Sequence, residues 1–313
     1  YFDLLPKLVA ELDPTRPYWP GSPYSGSQDR HPNDPSHGSM HIWDVWNQVD
    51  YTHYRAYTPR FVAEFGWQGP PAFATLRRAV SDEPLAPDSP GVRHHQKAKD
   101  GERKLHRGLE RHFAVPSAFD DWHWLTQLNQ APALCTGVEH LRSLSPVCTG
   151  ALVWQLNDCW PVTSWAAVDG DGRRKPLWYA LRRAFADRLL TIQPRDGGLV
   201  LVAVNASAED WSGSVAVGRH GFDGARLAQV EFPLAVPARS TLTLPLPASL
   251  AVAGDERAEL LLAEAGDQRA WWFFARDREL SYPKAEYEAV VEPAPDGAQV
   301  TVTAGTLLRD LAL

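Results

Sequence analysis

The pattern of apolar residues changes near residue 190, and this change constrains the fold more than any other feature of the chain. Before it, segments with helical spacing alternate with short apolar runs, and after it short runs are separated by turns. The first pattern is typical of βα units around a parallel sheet, and the second of an antiparallel β-sandwich. We therefore predict an α/β region over residues 1–190, followed by an all-β region.

Four short apolar runs of the first region are predicted to be strands. They are PYWPGSPYS, HIWDVW, PRFVAEFGW and TGALVWQLND, which begin at residues 17, 41, 59 and 149. The last run is continuous in apolar residues, as expected of a strand that is buried on both faces. Helical spacing predicts helices over residues 1–12, 102–113 and 118–143, and from Pro176 to about Leu190.

Six further runs are predicted to be the strands of an immunoglobulin-like β-sandwich over residues 191–277. These runs are GGLVLVAVNAS, WSGSVAVGRH, ARLAQVEFPL, STLTLPLPA, ERAELLLAEA and RAWWFFARD. Residues 278–313 are predicted to be a linker and an incomplete further β-sandwich, because about two strands cannot bury a core by themselves. The chain also begins inside an apolar, helix-like segment at Tyr1, so we expect it to be a fragment.

Composition excludes several classes of partner. The net charge is −7 and no basic tract is present, so we expect no nucleic-acid partner. No apolar run approaches the roughly 18 residues of a membrane span, so we expect no membrane partner. Three cysteines, an odd number, predict buried free thiols and a cytoplasmic rather than an exported protein, although any signal upstream would not be visible. The 13 tryptophans favour a carbohydrate ligand, because aromatic faces stack on sugars.

Glu64 is a carboxylate at the end of an apolar strand, followed by Phe65, Gly66 and Trp67. Burying a charge at such a position is costly unless the charge is paired or used. At the carboxyl end of a barrel strand such a residue is more often catalytic than structural. On this argument alone, catalysis and a structural ion pair both remain open.

Four segments in order resemble the β-mannosidase branch of glycoside hydrolase family 2. FVAEFGWQ resembles the nucleophile segment, and GALVWQLNDCWPVTSWA is similar to the last barrel strand and its exit loop. The regions of the fifth and sixth strands are similar to LLPKLVAELDPTRPYWPGSPYSG and SMHIWDVW. Together these motifs cover nearly all of residues 1–190. The resemblance implies a (β/α)8 TIM barrel, of which this chain would hold strands five to eight.

The resemblance also implies a retaining mechanism in which Glu64 is the nucleophile and a second Glu is the acid/base. In the family that second residue follows an Asn on the fourth strand, in a word like G-N-N-E, and this chain has no such word. We therefore expect the acid/base on a missing N-terminal part of the same enzyme, and the chain alone to be inactive. No cofactor and no metal are expected.

Trp154 matches the position whose ring forms the bottom of the sugar subsite in the family. The alternative is that Trp154 is a core residue of an apolar strand. Glu64 must stay ionised, so it should receive hydrogen bonds from donors. The candidates at the sixth strand are His41, Trp43 and Trp46, and these three residues are also predicted to contact substrate. The candidates for substrate contact beyond the eighth strand are Asn157, Asp158 and Trp160, with Asp158 alternatively capping a turn.

The activity implied by the resemblance is removal of terminal, non-reducing β-D-mannose from β-mannoside oligosaccharides or glycoconjugates. Two alternatives remain open. One is another family 2 exo-glycosidase, such as an exo-β-glucosaminidase, and the other is a non-catalytic carbohydrate-binding protein.

Overall fold

Two compact units make up the chain. The structure is a computed structural model that describes residues 1–295 and 297–311. The first unit comprises Tyr1–Glu110 and Val115–Phe185, and the second comprises Arg111–Ala114 and Ala186–Leu313.

The first unit mixes helices with short strands. In chain order its elements are α1 (Leu4–Leu12), β1 (Met40–Ile42), α2 (Asp44–Asn47), a 3₁₀ helix (Tyr51–Ala56), β2 (Val62–Phe65), α3 (Phe73–Ala79), α4 (Pro90–His94), α5 (Gly101–Glu110), α6 (Phe119–Ser143), β3 (Ala151–Val153) and α7 (Pro176–Ala184). The three strands form a parallel sheet in the order β1-β2-β3. The predicted helix over residues 118–143 is confirmed as α6.

The prediction of a strand in PYWPGSPYS, residues 17–25, is wrong. In this segment Tyr24 makes an isolated bridge to Ser39, and no regular strand forms. The segment contains three prolines, and proline has no N–H to donate to a strand ladder. The described parallel sheet therefore has three strands instead of the four that the sequence predicts.

The other three predicted strands of this unit are shorter than expected, as β1, β2 and β3. HIWDVW, for example, leaves the extended conformation after Ile42, and α2 begins at Asp44.

The expectation that the last strand is buried on both faces is wrong, because the side chain of Leu152 in β3 is exposed. Within the described sheet β3 pairs with β2 alone, so it lies at an edge.

The helix predicted to run from Pro176 to about Leu190 ends at Ala184. Leu189 instead lies in a strand and pairs with Val204. A spacing of four residues keeps side chains on one face of a helix and also on one face of a strand, so the apolar spacing could not tell the two apart.

The second unit is all-β apart from short helical turns. Its elements are β4 (Arg188–Arg195), β5 (Gly198–Asn205), β6 (Trp211–Gly221), β7 (Arg226–Val236), β8 (Ser240–Pro245), α8 (Ala248–Ala251), β9 (Glu259–Ala265), β10 (Gln268–Phe273), a 3₁₀ turn (Asp277–Glu279), β11 (Tyr287–Ala294) and β12 (Gly297–Ala304). All six predicted strands after residue 190 are confirmed as β5 to β10. The strand β4 was not predicted.

Two antiparallel sheets share one apolar core in this unit. Their strand orders are β4-β5-β8 and β10-β9-β6-β7. The core draws Leu201 from the first sheet and Val217 and Leu261 from the second. The hairpin β11-β12 forms a separate sheet, and its residues are almost all exposed.

The three cysteines are free, as the sequence predicts. Cys148 is buried, but Cys159 is exposed, so the expectation that all three are buried is wrong. Of the helices that the structure describes, none combines the length and the apolar character needed to cross a bilayer.

Candidate active site

Parallel pairing brings three predicted site residues to one edge of the small sheet. His41 in β1 lies beside Glu64 in β2, and Phe65 of β2 pairs with Val153 of β3. The amide of Trp154, directly after β3, donates to the carbonyl oxygen of Phe65 at 2.9 Å. Because parallel strands end at the same edge of a sheet, the side chains of His41 and Glu64 and the Trp154 residue meet there.

Two ring nitrogens converge on one oxygen of the Glu64 carboxylate. The indole Nε1 of Trp43 donates to Oε2 at 3.1 Å, and Nδ1 of His41 lies 3.4 Å from the same oxygen. Among the described residues no donor meets Oε1, and the Glu64 side chain remains 28% exposed. The carboxylate is therefore held by one oxygen while the other faces open space.

Close approach of the backbone explains the glycine after Glu64 and Phe65. A Cβ on Gly66 would lie 2.2 Å from the carbonyl oxygen of Trp154 and 3.2 Å from the ring of Trp43. Contact at 2.2 Å with a backbone atom is a clash, so glycine is needed here. This contact involves the backbone of Trp154. Its side chain is 42% exposed and is open to a ligand at the edge of the sheet.

Trp46 lies in the core of the first unit. Its side chain is 1% exposed, and its ring packs edge-on against the rings of Trp67 and Trp165. The structure thus brings His41 and Trp43 to Glu64 and places Trp46 beneath them. Substrate contact by Trp46 stays a prediction.

The residues beyond β3 belong to a loop with internal hydrogen bonds. Asp158 accepts hydrogen bonds from Ser164 Oγ at 2.5 Å and Gln155 Nε2 at 3.1 Å. Burial raises the pKa of the Asp158 carboxyl, although its bond from Ser164 acts in the opposite direction. The side chain of Asn157 is exposed and donates to the carbonyl of Asp158. These contacts favour a loop-building role for Asp158.

Trp160, on the same loop, packs against an aromatic ring and a cation from the segment that follows α4. Its ring lies 5.5 Å from that of His95, and the ammonium of Lys97 lies 5.5 Å from its centroid. The backbone joins the two segments, because the amide of Thr163 donates to the carbonyl of His95 at 3.0 Å. The structure places Trp160 at a half-buried position, and a contact with substrate stays a prediction.

Buried polar side chains of α6 hold the segment that follows Glu64. Gln130 donates to the carbonyl of Trp67 at 2.7 Å, and Gln127 donates to that of Pro71 at 2.9 Å. His123 Nε2 lies 2.8 Å from the carbonyl oxygen of Pro71, and burial lowers the pKa of its imidazole. Positions 123, 127 and 130 share one helix face. None of the sequence predictions covered these three side chains, although their helical spacing was visible in the sequence.

A buried lysine and a buried aspartate join the loops after β2 and β3. Lys175 Nζ donates to the carbonyl oxygen of Gly69 at 2.9 Å, and its side chain is among the largest that are fully buried. Burial lowers the pKa of Lys175 to about 7. Asp169 accepts from the amide of Ala72 at 3.0 Å and from the hydroxyl of Thr75 at 2.7 Å. In the sequence Lys175 stands among charged turn residues, so nothing signalled its burial.

Curated relatives match about two thirds of the chain. Beta-mannosidase B of Aspergillus flavus is 34% identical over 218 residues, which are 68% of this chain and 24% of the relative. The protein of the same name from Aspergillus niger gives the same identity and coverage. The chain therefore spans about a quarter of the length of the curated relatives it matches. No family model matches the sequence.

Solved structures match nearly the whole chain. The β-D-mannosidase of Dictyoglomus thermophilum superposes with a TM-score of 0.89 at 32% identity, covering 98% of this chain and 38% of the other. The exo-chitosanase CsxA of Amycolatopsis orientalis superposes with a TM-score of 0.61 at 17% identity, covering 79% of this chain and 34% of the other. The second likeness concerns the fold alone.

Proposed function

This chain is a homologue of the β-mannosidases of glycoside hydrolase family 2, and we propose that it forms part of a retaining exo-β-mannosidase. The substrates of that enzyme are β-mannoside oligosaccharides or glycoconjugates, from which it removes the terminal, non-reducing mannose. Glu64 is the nucleophile in this proposal.

The arrangement around the Glu64 carboxylate carries the proposal. Trp43 directs its indole N–H at Oε2, Nδ1 of His41 lies beside the same oxygen, and no described donor occupies Oε1. A nucleophilic carboxylate must be ionised, and contacts to Oε2 alone leave Oε1 as the oxygen that can attack. The exposed ring of Trp154 beside it supplies an apolar face on which the C–H groups of a sugar can stack.

The chemistry follows from these positions. Oε1 of Glu64 attacks the anomeric carbon, the bond to the leaving-group oxygen breaks, and a glycosyl-enzyme forms. A second carboxylic acid, about 5–5.5 Å away, protonates the leaving group and then removes a proton from the water that releases the sugar. The net outcome is hydrolysis with retention of the anomeric configuration.

The acid/base in this proposal comes from outside the 313 residues. No Asn-Glu pair at a strand end occurs in the sequence. Among the described residues, Asp158 is the carboxylate nearest in sequence to Trp154, and its oxygens accept hydrogen bonds within its own loop. Asp158 is therefore not assigned as the acid/base in this proposal.

We also propose the finer architecture. The parallel order β1-β2-β3 supports strands six to eight of a (β/α)8 barrel within a domain of residues 1–190. The two packed antiparallel sheets support an immunoglobulin-like sandwich over residues 191–277. The exposed hairpin β11-β12 supports the beginning of another β-domain over residues 278–313.

A mechanism-based 2-fluoro-mannoside tests the nucleophile in the complete protein. We expect it to label Glu64, as located by peptide mass spectrometry, and Glu64→Gln to abolish turnover and labelling. The matched control is Glu11→Gln, because Glu11 is an exposed carboxylate on α1. Labelling of another carboxylate would refute the assignment of Glu64.

A panel of aryl glycosides separates the alternative functions. We expect turnover of the β-mannoside, and preference for a β-glucosaminide would indicate the other exo-glycosidase. Saturable sugar binding without turnover of any substrate would indicate a carbohydrate-binding protein. The isolated 313-residue chain should show negligible turnover, and measurable hydrolysis by it would contradict an external acid/base.

A further inference from the structure

Ser22 touches the candidate site through His41, and the functional proposal does not use it. Its hydroxyl oxygen lies 2.7 Å from Nε2 of His41, while Nδ1 of the same ring lies 3.4 Å from Oε2 of Glu64. The two nitrogens of one imidazole therefore face a hydroxyl on one side and a carboxylate on the other. Ser22 lies in the strandless segment 17–25, so this contact could not be read from strand pairing.

The backbone of His41 is fixed independently of its ring. Its amide donates to Oδ1 of Asn33 at 2.6 Å, and its carbonyl accepts from Nδ2 of Asn33 at 2.8 Å. These two bonds hold the residue but leave the ring free to rotate about the Cβ–Cγ bond. The orientation of the imidazole is then decided by what its two nitrogens bind.

The partners also decide which nitrogen carries the proton. An ionised carboxylate can only accept, so the nitrogen that faces Glu64 must be the donor, Nδ1–H. In a neutral ring Nε2 is then an acceptor, and the Ser22 hydroxyl can donate to it. The His41 side chain is only 13% exposed, so these two partners account for most of what its ring nitrogens can bind.

We propose that Ser22 is a positioning residue: its hydroxyl donates to His41 Nε2 and keeps the Nδ1–H of His41 directed at Oε2 of Glu64. This inference rests on the proposed role of Glu64 as the nucleophile. In this arrangement two ring donors, the indole N–H of Trp43 and the Nδ1–H of His41, hold Oε2.

Loss of the Ser22 hydroxyl has a defined chemical consequence. Which ring nitrogen is protonated depends on the hydrogen bond made by the other. Without the hydroxyl, the ring loses one of its two partners and can turn its Nδ1–H away from Oε2, after which the carboxylate no longer holds the proton on Nδ1. Glu64 would then keep Trp43 as its one remaining donor among those described.

The first test measures the tautomer in the 313-residue chain. Nitrogen-15 spectra of the imidazole rings identify the protonated nitrogen, and the His41 signals are assigned by their absence in His41→Asn. We expect Nδ1–H in the unmodified chain and in Ser22→Thr, and a loss of that tautomer in Ser22→Ala. The control is Ser27→Ala, which removes a hydroxyl that accepts from the amide of Asp29 just after that segment.

The second test measures kcat of the complete protein on an aryl β-mannoside with a poor leaving group, for which glycosyl-enzyme formation is the slow step. A hydrogen bond to a charged group that acts in the transition state corresponds to a loss of about tenfold to a hundredfold when removed. We expect a loss in this range in kcat for Ser22→Ala with little change in KM, recovery in Ser22→Thr, and no change in Ser27→Ala.

The outcomes separate this inference from the functional proposal. A cationic His41, or the same tautomer in Ser22→Ala as in the unmodified chain, would overturn the positioning role. An altered tautomer with unchanged kcat would also overturn it, because the ring would then not matter to Glu64. Labelling of a carboxylate other than Glu64 would instead overturn the nucleophile, while the tautomer measurement would stand.

Discussion

Replacing Lys175 by methionine removes a buried ammonium group from the loops that hold the segment after Glu64. Its Nζ bonds the carbonyl oxygen of Gly69 at 2.9 Å, and its side chain is 1% exposed. Burial lowers the pKa of Lys175 from 10.5 to about 7, although the charges of Asp158 and Asp169 act in the opposite direction. The charges of the two carboxylates therefore do not offset the cost of removing the Lys175 ammonium group from water.

The sign of the effect on stability follows from proton binding. Between pH 10.5 and about 7 the unfolded Lys175 binds a proton that the folded one does not. The free energy of unfolding must therefore fall as the pH falls through this window. At about 1.4 kcal/mol for each pKa unit, the full window corresponds to at most about 5 kcal/mol. Below about pH 7 both states bind the proton, and the penalty is constant.

Urea unfolding at several pH values between about 7 and 10.5 measures this slope. Far-UV circular dichroism is the probe, because the long helix α6 lies in the same unit as Lys175. We expect the unfolding free energy of the unmodified chain, relative to that of Lys175→Met, to rise with pH by up to about 5 kcal/mol. Tyr54 and Cys135, whose pKa values are raised by burial, contribute equally to both proteins and cancel in the difference.

The matched control is Lys99→Met, because Lys99 is an exposed lysine in the same unit. Its unfolding free energy should follow the unmodified chain at every pH. Parallel curves for the unmodified chain and Lys175→Met would refute the reasoning, since they would mean that Lys175 binds its proton equally well in the folded and unfolded states.

Three further predictions concern the site and its support. Gly66→Ala should destabilise the first unit by about 1 to 3 kcal/mol or more, because its Cβ would meet the carbonyl of Trp154 at 2.2 Å. The control in the same urea experiment is Gly21→Ala, whose Cβ would make only an ordinary contact, with the carbonyl oxygen of Pro23 at 3.8 Å. Trp154→Leu should raise KM roughly five- to thirtyfold, about 1 to 2 kcal/mol of lost stacking, and an unchanged KM would exclude the ring from the sugar subsite. Asp169→Asn should cost about 3 to 5 kcal/mol of unfolding free energy, since Asp169 is buried and accepts several hydrogen bonds; Asp171→Asn, at an exposed ion pair, should change the midpoint much less.

The sequence by itself determined the features that depend on neighbouring residues. The six strands from β5 to β10 and the helix α6 follow from local apolar patterns and turns, which any fold must satisfy. Glu64 was also singled out in this way, because a carboxylate that ends an apolar strand is conspicuous, whereas its role as nucleophile came from the family resemblance and stays a proposal. The sequence also proposed three hydrogen-bond donors for the Glu64 carboxylate, all from HIWDVW. The structure brings two of them, His41 and Trp43, to the carboxylate.

Only the tertiary structure decided the features that depend on residues distant in sequence. Leu189 became part of β4 because β5 was there to pair with it, although its spacing fitted a helix equally well. Lys175 became buried because a carbonyl on the loop after β2 receives its ammonium group. Ser22 contacts His41, which is 19 residues later in the sequence, from a segment with no regular structure. Pairing, burial and hydrogen bonding of this kind are properties of two segments together, so neither segment alone encodes them.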